Sequence, residues 1–514
     1  MVTTKRGTQD GGHVNYDSYI SLGVLPKKLE VLNSEEYLHV EDISFQNANK
    51  YDPIGFAAGK YKNPALGRTD PRIFDANGKP IYDTDWQDEV TQKAISQNHQ
   101  LSFTNGDKKG SYGAYFGYTN EEGIIRISWL KRYSGRFVFD TQIKDWLKIG
   151  GSLSYNDQNE RHVQGNSAGG TNAGYLGRGL LEMLPIIPNK YPDGSWGSNS
   201  DYPGTEGAPN PVEIGEEFKQ FLKTQTTLGN LFTNITLTKG LELRTNIGFN
   251  GINQRTSTYA GSALQFIGKD QKGIAEISND QYSSWQVENY LTYTKASTNS
   301  LFTGLLGVSW QYVDRFNSYV SSQNYVDNFY SFNNLGAGAV RNAPSSRAQG
   351  SGLHSYFGRI NYSLFDKYLL NVSGRIDGLS KFGADNKYAF FPSAALAWRV
   401  SKEDFFENVP VISNLKLRTS YGVTGNSEIS SYQSLAGMGS YSYIFGGILV
   451  KGTGRVANPS LLWEKTHQVD AGLELGLFLN RITFEFDIYR KLTTDMLLNS
   501  PIPSSSGYTS VTKN

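Results

Sequence analysis

Two kinds of residue pattern in this sequence could support catalysis. The segment GNSAG at residues 165–169 matches the G-x-S-x-G nucleophile elbow, which holds a reactive serine on a strained turn between a strand and a helix. No helical pattern follows it, and its surroundings are rich in Gly, Asn and Ser, which indicates a loop. Glu35-Glu36 and Glu121-Glu122 are adjacent carboxylates, whereas a glycosidase needs two that face one bond from opposite sides. We therefore expect no catalytic residue and no enzyme activity.

Thiol and metal chemistry have no better support. The sequence contains no cysteine, which excludes disulfides, thiol nucleophiles and Cys-ligated zinc or iron–sulfur centres. Its six histidines lack both the i, i+4 helical spacing and the nearby carboxylates of a metal site. They are His13, His39, His99, His162, His354 and His467. We expect neither a metal nor another cofactor.

Charge and hydropathy narrow the class of protein. Lysine and arginine number 49 against 48 aspartates and glutamates, so a net charge of +1 gives no reason to expect nucleic acid as a partner. No apolar run reaches the roughly 18 residues that a membrane-spanning helix needs, which excludes a helical membrane protein. A membrane barrel stays possible, because its strands alternate polar and apolar residues and average to a polar score.

The elements that position side chains are strands, because apolar and polar residues alternate with a period of two over much of the chain. The alternation is clearest at residues 147–156, 241–250, 415–423 and 481–488. In the last of these, Phe484 and Phe486 alternate with Thr483 and Glu485. Each such strand has one apolar and one polar side. Helical periodicity is hard to find, and Ser34–His39 predicts at most one short helix.

Short and long connections alternate along the chain. Short polar turns lie at residues 106–110, 144–145, 239–240, 297–299, 366–367 and 479–480. Long connections span roughly residues 159–222, 251–284, 311–352 and 425–464. Every second connection of an up-and-down sheet lies at the same end, so one end should carry tight turns and the other large loops. That asymmetry is typical of an outer-membrane barrel.

Aromatic residues cluster near the ends of these strands, as they do in the two interfacial girdles of a membrane barrel. They are Tyr133, Trp146, Tyr155, Tyr290, Tyr293, Trp310, Tyr356, Tyr362, Tyr368, Trp398 and Tyr489. Tyrosine also packs well in soluble sheets, so the rings alone do not decide between the two settings. The asymmetry of the connections favours the membrane.

The strand count predicts an all-β fold, a large antiparallel transmembrane β-barrel. We count about fifteen alternating segments from His13 to the C-terminus. The last of them runs into the loop-like SPIPSSSGYTSVTKN, which leaves a sheet with two open edges. Hydrocarbon does not tolerate such edges, because each unsatisfied backbone group costs several kcal/mol there. We therefore expect an incomplete barrel and a piece of a longer protein.

Several segments resemble the SusC/RagA-like TonB-dependent outer-membrane transporters of Bacteroidota. VTTKRG, which is Val2, Thr3, Thr4, Lys5, Arg6 and Gly7, resembles the last strand of that family's plug domain. Residues 122–155 resemble its early barrel hairpins. Later barrel motifs follow in order at residues 375–406, 415–435, with the run LKLRTSYGVTGN, and 458–507. The resemblance implies two parts, residues 1–12 as the C-terminal end of the plug and residues 13–514 as an incomplete barrel of a 22-stranded type.

The same resemblance implies a function. Such a protein lies in the cell outer membrane, in contact with lipid, and imports nutrients, either oligosaccharides (glycans) or peptides. A SusD-like surface lipoprotein closes over the cargo, and the TonB–ExbB–ExbD complex pulls on the plug through N-terminal parts that are absent here. Two alternatives stay open, a passive porin-like channel and a soluble β-rich protein that binds or degrades glycans.

Aromatic residues in two long loops are the candidate cargo contacts. They are Tyr175, Tyr191, Trp196 and Tyr202 in the first loop, and Tyr325 and Tyr330 in the second. Flat rings bind the apolar faces of sugars or peptides, and the Gly, Pro, Asn and Asp around them supply hydrogen bonds. The alternative is a loop that packs on itself around these rings. Either arrangement fits the sequence.

Four charged residues fall on the polar side of their strands: Arg359, Arg375, Asp377 and Arg418. They could contact plug or cargo in the lumen. We favour a structural interpretation, in which they form cross-strand pairs that hold the barrel wall.

Overall fold

The computed structural model describes residues 12–162, 176–203, 207–264, 267–407, 409–445, 448–506, 508 and 510–514. Its strands are β1 (His13–Gly23), β2 (Ala94–Gly106), β3 (Gly110–Glu122), β4 (Trp129–Lys144), β5 (Leu147–His162), β6 (Phe218–Thr238), β7 (Leu241–Ala260), β8 (Ile274–Ala296), β9 (Ser300–Gln323), β10 (Val340–Arg341), β11 (Ser345–Leu364), β12 (Tyr368–Leu379), β13 (Tyr388–Arg399), β14 (Ile412–Asn426), β15 (Gly437–Phe445), β16 (Ile448–Arg455), β17 (Glu464–Leu477), β18 (Ile482–Thr494), β19 (Leu498–Pro501) and β20 (Ser510–Lys513).

The helices are short apart from the first. They are α1 (Ser34–Tyr51), α2 (Pro53–Ala57), α3 (Trp86–Val90), α4 (Leu176–Glu182), α5 (Pro211–Glu217) and α6 (Ile267–Gln271). Single 3₁₀ turns occur at Pro64–Gly67, Asn199–Asp201, Ser331–Asn333, Leu335–Ala337, Ala384–Asn386, Val400–Lys402, Asp404–Phe406 and Ser504–Ser506. Across the described residues, no helix is both long and apolar enough to cross a membrane.

One antiparallel sheet dominates the described chain. Its path runs through β1 to β9, then β11 to β14, then β17 and β18, and each strand pairs with the next along that path. The two-residue β10 adds to β9, while β15–β16 and β19–β20 form separate hairpins. Within the described residues β1 and β18 are the two edges of the sheet. The prediction of an antiparallel wall of about fifteen strands is confirmed.

The alternation of turns and loops is also confirmed, but the long connection predicted at residues 251–284 is wrong, because β7 runs to Ala260 and β8 begins at Ile274. All six predicted short turns join successive wall strands, so they lie at one end of the sheet, which we call the turn end. Gly240 shows how tight these turns are. Its φ is +82°, and a Cβ there would lie 2.3 Å from the carbonyl oxygen of Thr294. The opposite end, the loop end, carries residues 24–93, 176–203, 207–217, 324–344, 427–445 and 448–463 among its connections.

The first of these connections corrects the sequence analysis. Residues 24–93 form a long connection that the alternation of turns did not reveal, and α1 within it has 18 residues. The expectation of at most one short helix is therefore wrong. Asn33 begins α1 with a capping box, because its side chain accepts from the Glu36 amide and the Glu36 carboxylate accepts from the Asn33 amide. The apolar stripe that normally identifies a helix is nearly missing, since its buried residues are Ser34 and Leu38.

Buried apolar side chains are concentrated at the loop end. One cluster joins residues 24–93 to residues 176–217, and another contains Phe382, Leu461 and Trp463 from two later loops. Two smaller clusters lie around Phe218 and Tyr259. The sheet therefore acts as a wall, and the loops fold against one another at one end of it.

Candidate functional site

The wall has one apolar face that is exposed along its length. The register of β8, β9 and β11 places Leu291, Leu306 and Gly358 side by side on this face. Leu306 is 71% exposed, and Phe390 and Leu396 on β13 are more than half exposed. Soluble proteins rarely expose apolar surface continuously over so many strands. A face of this kind needs lipid around it.

Aromatic side chains mark both ends of the apolar face. Phe302 and Trp310 on β9 are eight residues apart, and so are Trp285 and Tyr293 on β8. Eight residues at about 3.4 Å each, tilted by about 40°, rise roughly 20 Å, close to the roughly 25 Å apolar band of an outer-membrane barrel. The two rows of rings are therefore spaced as membrane girdles.

Two of the predicted girdle residues are wrong. Tyr290 pairs with Arg244, and Tyr489 pairs with Asp470, so the register puts both rings on the polar face of the wall. In a strand, neighbouring residues point to opposite faces, so a ring reaches the apolar face only at every second position. Both tyrosines were assigned to the girdle because they are aromatic, without regard to which face their position puts them on.

The polar face carries ion pairs near the β18 edge. Arg418 on β14 donates from Nη2 to Asp487 on β18 at 2.8 Å, and its Nε lies 3.4 Å from Glu474 on β17. Lys416 Nζ lies 3.1 Å from the same glutamate. These contacts bridge three neighbouring strands, which confirms the cross-strand interpretation for Arg418.

The other charged residues of the polar face behave differently. Arg375 donates from Nε to Asp377 at 2.6 Å, a pair within one strand, and from Nη2 to Ser355 Oγ of the next strand at 2.8 Å. Arg359 is exposed, and no ion pair of it occurs among the described residues. For the Arg375–Asp377 pair the expected ion pair across strands is wrong, because the two residues are neighbours on the same side of β12.

At the turn end a single carboxylate ties the girdle to the connection between β13 and β14. Glu403 accepts from Trp398 Nε1 at 2.8 Å, from the Tyr368 hydroxyl at 2.7 Å and from Lys367 Nζ at 3.0 Å. These hydrogen bonds, those of Trp398 and Tyr368 first, lower the pKa of Glu403 to about 2. The arrangement orients two girdle rings around one ionised group.

At the loop end, residues 24–93 and 176–217 pack together, and we call this assembly the loop cap. Its core combines Leu38, Phe74 and Trp86 from the first segment with Ile186 and Ile187 from the second. The two isoleucines are completely buried. The cap therefore has a hydrophobic core of its own, separate from the wall.

Hydrogen bonds also join the two segments of the cap. The Thr84 amide donates to the carbonyl of Pro185 at 2.8 Å, and Trp86 Nε1 donates to the carbonyl of Leu184 at 3.0 Å. The Tyr202 hydroxyl donates to Glu41 Oε2 on α1 at 2.7 Å. Since the cap connects β1 to β2 and β5 to β6, these bonds join distant strands above the wall.

The predicted cargo residues of the first loop lie mostly inside this cap. Tyr191 and Tyr202 are 4% and 2% exposed and belong to the cap core. Burial raises the pKa of both hydroxyls, and each donates to a carboxylate, Tyr191 to Asp201. Trp196 is half-buried beneath Lys190, whose Nζ lies 3.7 Å from the ring centroid. In this loop the self-packing arrangement describes the two tyrosines.

The remaining predicted residues are separated. Tyr325 is 5% exposed, packs edge to face on Tyr259 and bonds to Ser322 through its hydroxyl at 2.6 Å. Tyr330, at 45% exposed, is accessible. Tyr175, the plug-end strand at residues 2–7 and the GNSAG segment lie outside the described residues. The structure thus brings Tyr191 and Tyr202 together and leaves Tyr330 apart from them.

None of the predicted cargo contacts lies in the cap's first segment, although this segment presents accessible rings. Tyr51 is 74% exposed at the end of α1, and Tyr61 faces the same helix. The N-S-E-E run at residues 33–36 marks where α1 begins, because Asn followed three residues later by Glu is a capping box.

Comparison with known proteins places this wall in a family. Residues 186–514 match the family described as TonB dependent receptor-like, beta-barrel. The chain belongs to this family of outer-membrane β-barrels, which confirms the expected fold and localisation. Among the described residues, no group of three or more His, Asp or Glu side chains is placed to hold a metal ion.

Individual relatives give the same result. The chain is 30% identical over its whole length to TonB-dependent receptor P3 of Formosa agariphila and covers 48% of that protein. It is 27% identical to TonB-dependent receptor SusC of Bacteroides thetaiotaomicron, over 99% of this chain and 49% of that one. A solved structure of the RagAB peptide transporter matches 99% of this chain and 58% of its own, at 26% identity and a TM-score of 0.80. The chain spans about half the length of the curated relatives that it matches.

Proposed function

We propose that the protein imports nutrients across the outer membrane as a SusC/RagA-like, TonB-dependent transporter. The observation that carries the proposal is the polarity of the wall, which is apolar and girdled on one face, charged on the other, and topped by a packed cap at one end only. A face lined with charged side chains suits a water-filled or plugged lumen. The likeness to the RagAB peptide transporter supports a peptide cargo, and the resemblance to SusC/RagA-like transporters implies oligosaccharide as the alternative.

Two partners belong to this proposal. A SusD-like surface lipoprotein would close over the cap, and the TonB–ExbB–ExbD complex would act on a plug. We assign residues 13–514 to the barrel and residues 1–12 to the end of the plug. The similarity to SusC and to RagAB supports both partners.

The experiment compares a strain that lacks the full-length gene with the same strain complemented by it. We expect the complemented strain to take up a labelled oligosaccharide or peptide that the deletion strain does not. A protonophore should abolish that uptake, because TonB draws on the proton gradient of the inner membrane. Uptake that persists with the gradient collapsed would favour the porin-like channel, and equal uptake in both strains would contradict an import function.

A further inference from the structure

The loop cap contains an open groove beside α1. The groove has a volume of about 1190 Å³. One wall is the side of α1 from Tyr37 to Tyr51, the other is the segment Lys60–Gly67, and Tyr202 and Pro203 lie at its base. It is larger than the roughly 300–1,000 Å³ of a typical small-molecule site.

The shape of the groove favours a chain-like ligand. Tyr37 and Tyr51 are separated by fourteen residues of one helix. At 1.5 Å per residue, the wall that they delimit is about 21 Å long. A compact metabolite would contact only part of such a wall, whereas a linear polymer would contact all of it.

The lining consists of rings and short polar groups. Tyr51 is 74% exposed, so its ring is available to a ligand. Ser44 and Asn47 are exposed on the α1 wall, and Asn63 lies on the opposite wall. Flat rings pack on the apolar faces of sugar rings, while hydroxyl and amide groups bond to sugar hydroxyls.

The backbone of the groove argues against a peptide. Peptides in extended form are usually held by main-chain hydrogen bonds from an open strand edge. Here one wall is an α-helix, whose interior backbone groups are already bonded to each other. The opposite wall includes the 3₁₀ turn Pro64–Gly67, which begins with a residue that has no amide hydrogen. Recognition must therefore come from side chains, as it does for oligosaccharides.

One lysine of the groove, Lys62, points to an acidic sugar. Lys60 Nζ is paired with Asp52 at 3.3 Å, and Glu41 accepts from Tyr202 and shares the Arg68 guanidinium with Asp42. These pairs leave no overall excess of positive charge. Lys62, however, is exposed and has no ion pair among the described residues, so an anionic substituent placed beside it would complement its charge.

We infer that this groove binds a linear oligosaccharide that carries a carboxylate or sulfate group near Lys62, with Tyr51 as the stacking platform. The inference rests on the proposed import function and adds to it a capture site within the loop cap. It assigns Ser44, Asn47 and Asn63 to hydrogen bonds with sugar hydroxyls.

The experiment measures binding of the purified full-length protein to an array of linear hexasaccharides that includes uronate-bearing, sulfated and neutral chains. We expect at least one acidic chain to bind more tightly than its neutral counterpart. Tyr51→Ala and Lys62→Gln should each weaken that binding about fivefold or more, which corresponds to roughly 1 kcal/mol. His39→Ala is the matched control, because His39 is exposed on α1 and does not line the groove; it should bind as the unmodified protein does.

Three results would overturn the inference: no acidic chain binds, the groove variants bind as well as the control, or peptides bind at the groove in place of glycans. Tyr51 and Lys62 are exposed, so both variants should fold, and unchanged hydrogen exchange at the Thr84 amide, which donates across the two segments of the cap, verifies this. Binding to purified protein needs no proton gradient. A protein that binds glycans in the groove and imports nothing would therefore contradict the proposed function and leave this site intact.

Discussion

The loop cap should open as a unit of its own, and Ile187→Ala tests this. Ile187 is completely buried between the two segments of the cap, next to Ile186 and near Trp86. Truncating a buried isoleucine to alanine costs about 2–5 kcal/mol, through lost burial and the cavity that remains. Because the cap has a separate core, that cost should fall on the local opening of the cap and leave the wall unaffected.

The assay is amide hydrogen exchange of the detergent-solubilised protein, read by mass spectrometry. The Thr84 amide reports on the cap directly, because it donates to the carbonyl of Pro185 across the two segments. At about 1.4 kcal/mol per tenfold, a cost of 2–5 kcal/mol raises the opening equilibrium, and hence the exchange rate, about 30- to 4000-fold. Leu181→Ala is the control, because Leu181 lies in the same loop and is 48% exposed. Exchange at Thr84 that stays unchanged in Ile187→Ala, or that speeds up equally in the strands of the wall, would refute a separately folded cap.

Three further predictions concern the wall and its ends. Glu403→Gln should lower stability at pH 7, and the difference from the unmodified protein should shrink as pH falls from about 4.5 to about 2. The pKa of Glu403 is lowered from 4.5 to about 2, so its ionised carboxylate stabilises the folded state above pH 4.5 and loses this effect as the carboxylate becomes protonated in the folded protein. The midpoint temperature of heat modifiability, measured as a function of pH, tests this. A stability difference that stays constant over that pH range would count against it. Gly383→Ala should lower the free energy of unfolding by about 1–3 kcal/mol, because the alanine Cβ would lie 1.8 Å from the carbonyl oxygen of Pro459 and force two loops apart. Chemical unfolding of the loop end is the measurement. Full tolerance of alanine would show that the loops are not packed this closely. Arg418→Gln should lower the free energy of unfolding by about 1 kcal/mol or less at low salt and by still less at high salt, because it removes the cation that Glu474 and Asp487 share at a partly exposed site. A destabilisation that grows with salt concentration would contradict the ion-pair interpretation.

The wall could be predicted from sequence because each of its strands shows its own alternation of apolar and polar residues. Phe484 and Phe486 alternate with Thr483 and Glu485 whatever the rest of the chain does, and the turn at residues 479–480 marks where the strand begins. Alternation also gave the correct assignment of turns and loops to opposite ends. It failed for Tyr290 and Tyr489, which were assigned by residue type without their register.

The cap could not be predicted in the same way, because its core is assembled from distant segments. Leu38, Phe74 and Ile187 belong to two loops that are separated by four strands, and no local pattern shows that they meet. The start of helix α1 was predicted correctly, but its length was underestimated at Ser34–His39. The helix buries only Ser34 and Leu38, so it lacks the apolar stripe by which the extent of a helix is recognised.

The burial of the predicted tyrosines has a consequence for where cargo can touch the cap. Long loops that must hold one shape above a membrane need apolar side chains of their own, and here Tyr191, Tyr202 and Tyr325 serve that purpose. Rings that hold the loops together cannot also stack on a ligand without opening the core. In the proposed transporter, contact with cargo would therefore fall to rings that the packing leaves exposed, such as Tyr51, which lines the groove of the cap. On this argument, enrichment of a loop in aromatic residues indicates that the loop is folded, and exposure decides which of its rings can bind.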